Sequence, residues 1–377
     1  MQNRIWQKVT VVAPAQVGNA LGFFDHAGFL CRETPLDPES RLGAPGDLIT
    51  VERVADRRGD IRVEYLLRGC DNEGYWDDVR PFSSLADAVA RDPGKDIIGR
   101  LSRETLKAMR NRNDLPSPPG DDSLSIQVIK HTPNRKVGLG LGSSASSAAV
   151  VLAIDHLYDQ PLRRFEDHVL RETGRDPHVR LKLMARAEEL VSGSRFYDNV
   201  APLAVEGGLI HIDQQSGQDP VLTPLPWPPG LHAVTITPDF SLETKEMRAV
   251  LNGANVDAMT ASEAAHRRTE VMRGLYTGDK ERVIHNAGDG IIEPFRWPLI
   301  RGHQVLRRHV EQRRARGKLY SLGISGSGPT VICLAESRQE ADTVGQEIHD
   351  IWAGMGVSSW WFVHDHNRTG ARIIHVS

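Results

Sequence analysis

The 377-residue chain has only three cysteines, Cys31, Cys70 and Cys333, too few and too scattered for a disulfide framework or a thiolate zinc site. Neither sign of charge dominates: 46 Lys and Arg stand against 49 Asp and Glu, a formal balance of −3. That near-neutral total excludes a strongly basic protein that binds nucleic acid by neutralising phosphates. No stretch reaches the roughly 18 consecutive apolar residues that a membrane helix requires. The first residues, Met1-Gln2-Asn3-Arg4-Ile5-Trp6, lack the apolar core of a secretion signal. These absences predict a cytoplasmic protein in a reducing compartment, with no membrane and no nucleic-acid partner. Internal repeats and low-complexity tracts are also missing. What is present is an ordinary globular composition with 40% hydrophobic residues, and the length predicts two domains or one enlarged one.

Residues 8–13 read as a strand, because Val9, Thr10, Val11 and Val12 are β-branched and Pro14 stops the ladder. From 31 to 94 the composition shifts to Asp, Arg, Gly and Pro with short apolar runs, which predicts hairpins and long surface loops. Helices are predicted over 96–110, where Ile97, Ile98, Leu101, Leu106 and Met109 share a face, and over about 143–158 and 181–191. Residues 116–122 read as a linker, and strands are predicted over 123–129 and near 208–213. The proline cluster at 220–229 reads as the boundary between domains at 1–218 and 219–377, and strand and helix alternate from 233 onward. The expected fold class is α+β in two lobes.

The strongest local signal is Gly138-Leu139-Gly140-Leu141-Gly142-Ser143-Ser144. Alternating glycines let backbone N–H groups face a ligand without Cβ obstruction, and the serines open a helix whose free amides attract anions. Chemically this is a phosphate cradle. It lacks the lysine of a Walker loop, because Ser143 follows the last glycine. A dinucleotide motif can be forced through Gly140 to Ala145, but a polar turn separates the segment from the strand before it. A close-packed turn leading into an Ala/Ser helix is the plain alternative. A second glycine turn, Gly323-Ile324-Ser325-Gly326-Ser327-Gly328-Pro329-Thr330, suits either a phosphate approach or a tight hairpin. It does not satisfy the G-x-S-x-G hydrolase elbow, because Ser327 stands two residues after Ser325.

Gly140-Leu141-Gly142-Ser143-Ser144-Ala145 and Ser325-Gly326-Ser327-Gly328-Pro329-Thr330 together resemble the second and third motifs of the GHMP small-molecule kinase superfamily. Within it the chain is most similar to homoserine kinases. Ala13-Pro14-Ala15-Gln16-Val17-Gly18-Asn19-Ala20-Leu21-Gly22-Phe23-Phe24-Asp25 resembles that family's first motif, in which an Asn and an Asp six residues apart contact the amino-acid substrate. Ser192-Gly193-Ser194-Arg195-Phe196-Tyr197-Asp198-Asn199-Val200-Ala201-Pro202 is similar to the family's S-G-S-x-H-x-D-N-V-A-P. Glu293-Pro294-Phe295-Arg296 and Thr369-Gly370-Ala371-Arg372 match further, so the resemblance runs in family order along nearly the whole chain.

The resemblance implies a two-domain kinase with ATP between its lobes, acting on the hydroxyl of a small amino acid, L-homoserine first. The triphosphate would lie on Gly138, Gly140, Leu141, Gly142, Ser143 and Ser144, with Ser325 and Gly326 nearby. Mg²⁺ would be held by Ser144 and Glu188, the latter eleven residues before Asn199 as in homoserine kinases. Asn19, Asp25 and Asp198 would accept from the substrate ammonium, while Arg248 and Arg296 would grip its carboxylate as planar forks, with Thr244 as a second contact. Homoserine kinases lack the Asp base of other superfamily members, so Asn199 would orient the reacting hydroxyl or a phosphate oxygen. Asn199, Glu188, Ser144 and Arg296 are thus the expected catalytic set.

Each residue has a plainer role available: a helix cap for Ser144, turn positions for the Asn and Asp residues, surface ion pairs for the arginines. Glu188 could be a solvated helical glutamate, but it has Met184 and Ser192 at i±4, whereas Glu189 has Arg186 at i−3. Two departures from the family bear on the acceptor pocket: Gln16-Val17-Gly18 precedes the first-motif Asn, and Phe196 stands where the family has His. Loss of the imidazole is expected to leave that side apolar, which keeps threonine or another small hydroxylated acid as alternative acceptors. A catalytically silent nucleotide- or amino-acid-binding sensor is the alternative of another class. His364-Asp365-His366 suggests a metal site only weakly, since no third ligand is placed. Asp96 stands near where the family has an Asn by the adenine, and the extra length over 31–95 is expected to alter the nucleotide edge or an oligomer contact such as that of a homodimer.

Overall fold

The computed structural model describes residues 7–23, 27–32, 44–54, 59–71, 75–92, 95–110, 122–133, 139, 144–158, 177–192, 195–214, 218–252 and 254–377. The chain opens with β1 (Lys8–Pro14), β2 (Gln16–Gly18) and β3 (Ala27–Leu30), then β4 (Gly46–Val54), β5 (Ile61–Cys70) and β6 (Tyr75–Pro81). Next come α1 (Ser83–Arg91), α2 (Ile97–Arg110), β7 (Ser123–Thr132), α3 (Ser144–Tyr158), α4 (Pro177–Ser192) and α5 (Tyr197–Ala204). β8 (Leu209–Asp213), β9 (Val221–Pro224), β10 (His232–Pro238), α6 (Thr244–Ala249), α7 (Ala258–Thr277) and α8 (Lys280–Asn286) follow. The chain closes with α9 (Glu293–Arg296), α10 (His303–Ala315), β11 (Gly323–Ile324), β12 (Val331–Ala335), α11 (Arg338–Gly354), β13 (Ser359–His364) and β14 (Arg372–Val376).

Among the described residues three sheets form, in the strand orders β14-β1-β4-β7-β5-β6, β2-β3-β8-β9 and β11-β12-β10-β13, and of their strand pairs only β5–β7 is parallel. α3 lies against β1 and β4 and is flanked by α2, α4 and α5. Its Ser/Ala-rich first half lets it bury nearly all round, as a central helix must. In the third sheet, β10, β12 and β13 are covered by α11. β9, inside the proline cluster, pairs with β8, and the last strand pairs with β1. Both ends of the 219–377 segment are therefore bonded into sheets whose other strands come from 1–218.

The 31–94 stretch holds the expected hairpin in β5 and β6, but it is less a surface loop than expected. β4 sits at the centre of the largest sheet, paired residue by residue with both β1 and β7, and β5 and β6 extend that sheet. Arg62 and Glu64 alternate with Ile61, Val63 and Tyr65, so the charges of this run are the outward half of a two-residue period. α5 lies between the helix predicted over 181–191 and the strand predicted near 208–213, a stretch that reads as a loop. Pro202 has no N–H to give the Asp198 carbonyl four residues back. Gly28 of β3 packs against that carbonyl instead, so closely that a Cβ there would lie 2.0 Å from it.

The His364-Asp365-His366 run is structural. His364 is fully buried at the end of β13, where Nδ1 accepts from the Arg32 N–H at 3.0 Å and Nε2 meets the Thr235 hydroxyl at 2.7 Å. Both ring nitrogens are engaged. Burial, aided by Arg32 and Arg338, pushes its pKa down to about 3 from 6.5. Below pH 6.5 the unfolded chain takes a proton that the folded chain refuses, so this stability is complete above 6.5 and is lost as pH falls toward 3. We expect about 1.4 kcal/mol of loss per pH unit from this group. His364→Asn, which keeps an acceptor near the Nδ1 position, should flatten the melting temperature profile between pH 6 and 4 relative to the parent in thermal denaturation, and parallel profiles would refute the assignment.

Candidate active site

Gly18 and Gly28 face each other across the β2–β3 pair. A Cβ on Gly18 would lie 2.3 Å from Asn199 Oδ1 and 2.7 Å from Asp198 Oδ2, as the one on Gly28 would strike the Asp198 carbonyl. Two missing side chains thus allow the start of α5 to rest on this hairpin, with Asp198 2% exposed beneath it. The Asn19 N–H then donates to Asp198 Oδ2 at 3.1 Å. Asn19 and Leu21 both hold left-handed backbone, φ 57° and 58°, which costs non-glycine residues on the order of 1 kcal/mol or more each. The bonds around Asn19 hold that conformation in place.

The glycine turn near the C-terminus closes on the same residues. Gly326, at φ +55°, donates its N–H to the Gly18 carbonyl at 3.2 Å. Its own carbonyl accepts from Asn19 Nδ2 at 3.3 Å and from Arg296 Nη1 at 3.1 Å. Arg296 is 4% exposed and also donates from Nε to the Met247 carbonyl at 3.2 Å. The adjacent Arg248 lies over the Phe196 ring, its guanidinium carbon 4.0 Å from the centroid. Arg248 Nε is buried and has no hydrogen-bond partner among the described residues. The side of the pocket lacking the family's imidazole is therefore not bare: the quadrupole of Phe196 holds a cation there. Gln16, the other departure, is buried with neither amide atom bonded among the described residues.

Glu293 supports the turn from behind. Its Oε1 accepts from the Ile324 N–H at 2.8 Å, and burial pushes the carboxyl up to about 8. Further along, Thr330 donates both its N–H, at 3.1 Å, and its hydroxyl to the Leu139 carbonyl, and accepts from Thr237 Oγ1 at 2.8 Å. Leu139 belongs to the glycine-rich run, so the second and third motifs are tied backbone to backbone. Ser144 begins α3 and is buried. One turn in, Ser146 joins Asp47 and Lys130: Lys130 Nζ donates to Asp47 Oδ2 at 2.7 Å and to Ser146 Oγ at 2.8 Å, and Ser146 Oγ donates to Asp47. This buried group anchors the start of α3 to β4 and β7.

The structure therefore brings Asn19, Asp198, Asn199, Arg248, Arg296 and Gly326 into one site, with Ser325 in the same turn. Gly138, Gly140, Leu141, Gly142, Ser143 and Asp25 lie outside the described residues, as do the side chains of Glu188 on α4 and Thr244 on α6. Asp96, expected near the base, accepts from the Tyr65 hydroxyl at 3.0 Å and caps α2 through the Gly99 N–H at 2.8 Å. Among the described residues no three His, Cys, Asp or Glu side chains cluster as a metal site, and no helix is long and apolar enough to cross a membrane.

Comparison with known proteins agrees with this geometry. Residues 275–354 match the family model described as GHMP kinases C terminal. A homoserine kinase of Xylella fastidiosa is 31% identical over 96% of this chain and 92% of its own length. One of Chloroherpeton thalassium is 26% identical over 98% of this chain and 100% of its own. The crystal structure of homoserine kinase from Cytophaga hutchinsonii superposes with a TM-score of 0.75 at 22% identity, covering 99% of both chains. The chain belongs to the homoserine kinases of the GHMP superfamily, ATP-dependent small-molecule kinases of mixed α+β fold.

Proposed function

We propose that the protein transfers the γ-phosphoryl group of ATP to the side-chain hydroxyl of L-homoserine, giving O-phospho-L-homoserine. The observation that carries this reading is the meeting, around the Gly326 turn, of Asn19 and Asp198 with Arg248 and Arg296. Acceptors on one side and two arginines on the other match the ammonium and carboxylate of one small amino acid. Asn19, Asp25 and Asp198 take the ammonium, Arg248 and Arg296 the carboxylate, and Thr244 is a second contact. Asn199, above Gly18, orients the hydroxyl, so catalysis rests on positioning and charge neutralisation rather than on a carboxylate base.

The phosphates lie on Gly138 to Ser144, beside Ser325 and Gly326. Ser144 and Glu188 are hard oxygen donors and fit Mg²⁺, and they are the residues that would hold it. The ion, when bound, offsets phosphate charge that develops during transfer. Residues 1–218 form the nucleotide-binding part and 219–377 the remainder of this reading. All three cysteines are free and buried, which accords with a reducing cytoplasm, and a homodimer is the assembly we assign.

Mg²⁺-dependent ADP release, with the product checked by mass, should show turnover with L-homoserine well above L-threonine, L-serine and mevalonate; preference for another of the four would mean that Gln16 and Phe196 have rebuilt the pocket. Glu188→Gln should lower kcat about 10²-fold or more with little change in melting temperature, and an unchanged kcat would remove Glu188 from the metal site. Gly18→Ala places a methyl against Asn199 and Asp198, so kcat/KM for the acceptor should fall at least about tenfold while the fold persists by circular dichroism. An unchanged kcat/KM would show that the hairpin and α5 can separate without cost.

A further inference from the structure

A second cleft, of about 310 Å³, opens between α7 and α10 and is floored by the Gly288–Asp289 turn and the start of α9. That volume lies at the lower end of the roughly 300–1,000 Å³ of small-molecule sites. Arg296 does not line it, so the cleft is separate from the acceptor site. Trp297 and Val310 supply an apolar wall, and Arg267, Arg307 and Arg314 bring three guanidinium groups to it.

None of these arginines has a carboxylate within 4.0 Å among the described residues. Arg267 donates only to the backbone carbonyls of Asn286 and Ala287, at 3.4 and 3.3 Å, and Arg314 to that of Tyr320 at 3.3 Å. Burial and the neighbouring Arg267 together hold Arg314 below its usual pKa, so the two cations repel each other. An anion between them would relieve that repulsion.

The opposite requirement sits on the floor of the cleft. Asp289 is only 6% exposed. Its Oδ1 accepts from the N–H groups of Ile291 at 2.7 Å and Ile292 at 2.9 Å. Its Oδ2 is buried and accepts nothing among the described residues. A buried carboxylate oxygen without a donor is costly. Arg268 Nη2 stands 4.0 Å from Oδ1, too far for a hydrogen bond, so Oδ2 is left open to a donor such as an ammonium cation. Glu293, raised to about 8 by its burial, stands largely protonated near neutral pH and does not compete for that cation. The remaining carboxylates, Glu263 and Glu311, are exposed at the rim.

The floor also touches the acceptor site. The Gly288 N–H reaches the Leu21 carbonyl at 3.5 Å, and Gly22 packs so tightly on Gly288 that a Cβ there would lie 2.4 Å from the Gly288 carbonyl oxygen. Arg268, one residue from the cleft-lining Arg267, donates to the Gly22 carbonyl at 3.2 Å. Leu21 and Gly22 belong to the strained turn that begins at Asn19.

We propose that the α7–α10 cleft binds one small α-amino acid as its zwitterion, ammonium on Asp289 and carboxylate on the arginines, and that its occupancy changes acceptor affinity through the Gly288–Gly22 contact. The coupling is reciprocal, as any linkage of two binding equilibria must be.

The test is isothermal titration calorimetry on the full chain carrying Arg248→Ala, which weakens amino-acid binding at the acceptor site. The probes are glycine, L-alanine, L-threonine, L-aspartate and L-lysine, with inorganic phosphate as the plain anion. We expect one molecule of at least one amino acid per chain. Asp289→Asn, which keeps Oδ1 but puts an N–H₂ group in place of Oδ2, should weaken it about tenfold or more, and Arg307→Gln, at an exposed position, about threefold. In the parent chain that amino acid should shift the acceptor KM, and Asp289→Asn should abolish the shift. The proposal is overturned if no probe amino acid binds up to about 10 mM, if only phosphate binds, or if both variants leave the affinity within about twofold. Binding is read without turnover, so failure of the kinase assignment would leave this result intact, and the reverse holds too.

Discussion

The site depends on close approach of backbone to backbone at Gly18. Without side chains at Gly18 and Gly28, the β2–β3 hairpin reaches the Asp198 carbonyl and the Asp198 and Asn199 side chains directly. The Gly326 N–H then bonds to the Gly18 carbonyl, which brings in the C-terminal turn. From that junction the positions of Asn19 and Arg296 follow, because both donate to the Gly326 carbonyl. A Cβ at Gly18 would separate the hairpin from α5 by more than these hydrogen bonds can stretch. Parts of the chain distant in sequence are thereby held by main-chain groups of Gly18, Asn19 and Gly326 together with the side chains of Asn19, Asp198 and Arg296.

Charge at the site is held in forms that surface ion pairs do not provide. Arg248 rests on the face of Phe196 and keeps its Nε unbonded among the described residues, whereas Arg296 is fixed by two backbone carbonyls. Neither arrangement puts a carboxylate in direct competition with an incoming one through the bonds just named. An aromatic partner orients a guanidinium without neutralising it, so the cation keeps its pull on an anion. The loss of a histidine at 196 changes how the arginine is positioned while preserving the positive charge.

Polar groups are used differently away from the site. His364 and the Asp47–Lys130–Ser146 group are buried with their partners satisfied, and they brace strand ends and the start of α3. Glu293 braces the glycine turn through the Ile324 N–H in the same manner. Asp289 on the floor of the second cleft breaks this pattern, since its buried Oδ2 accepts no hydrogen bond among the described residues. Complete satisfaction is the norm for buried polar atoms, and an exception next to a cavity of ligand size points outward to a ligand.

Much of this was legible in the chain itself. Motif order identifies the kinase family, and the glycine runs, the Asp198-Asn199 pair and the two arginines stand out in the sequence itself. Strongly periodic elements such as α2, β1 and β7 fell within a few residues of their predicted spans. Local pattern falls short where tertiary contact sets the outcome: the short apolar runs in 31–94 read as hairpins among long surface loops, whereas β4 is a central strand of the largest sheet, and α5 reads as a loop although it forms a helix despite Pro202. The sequence alone determined which chemical groups were available and which family they belong to. Only the tertiary structure decided that Phe196 meets Arg248, that Gly326 joins three motifs and that Asp289 lines one cleft with three arginines, because each of these joins residues tens to hundreds of positions apart or depends on packing that no local period records.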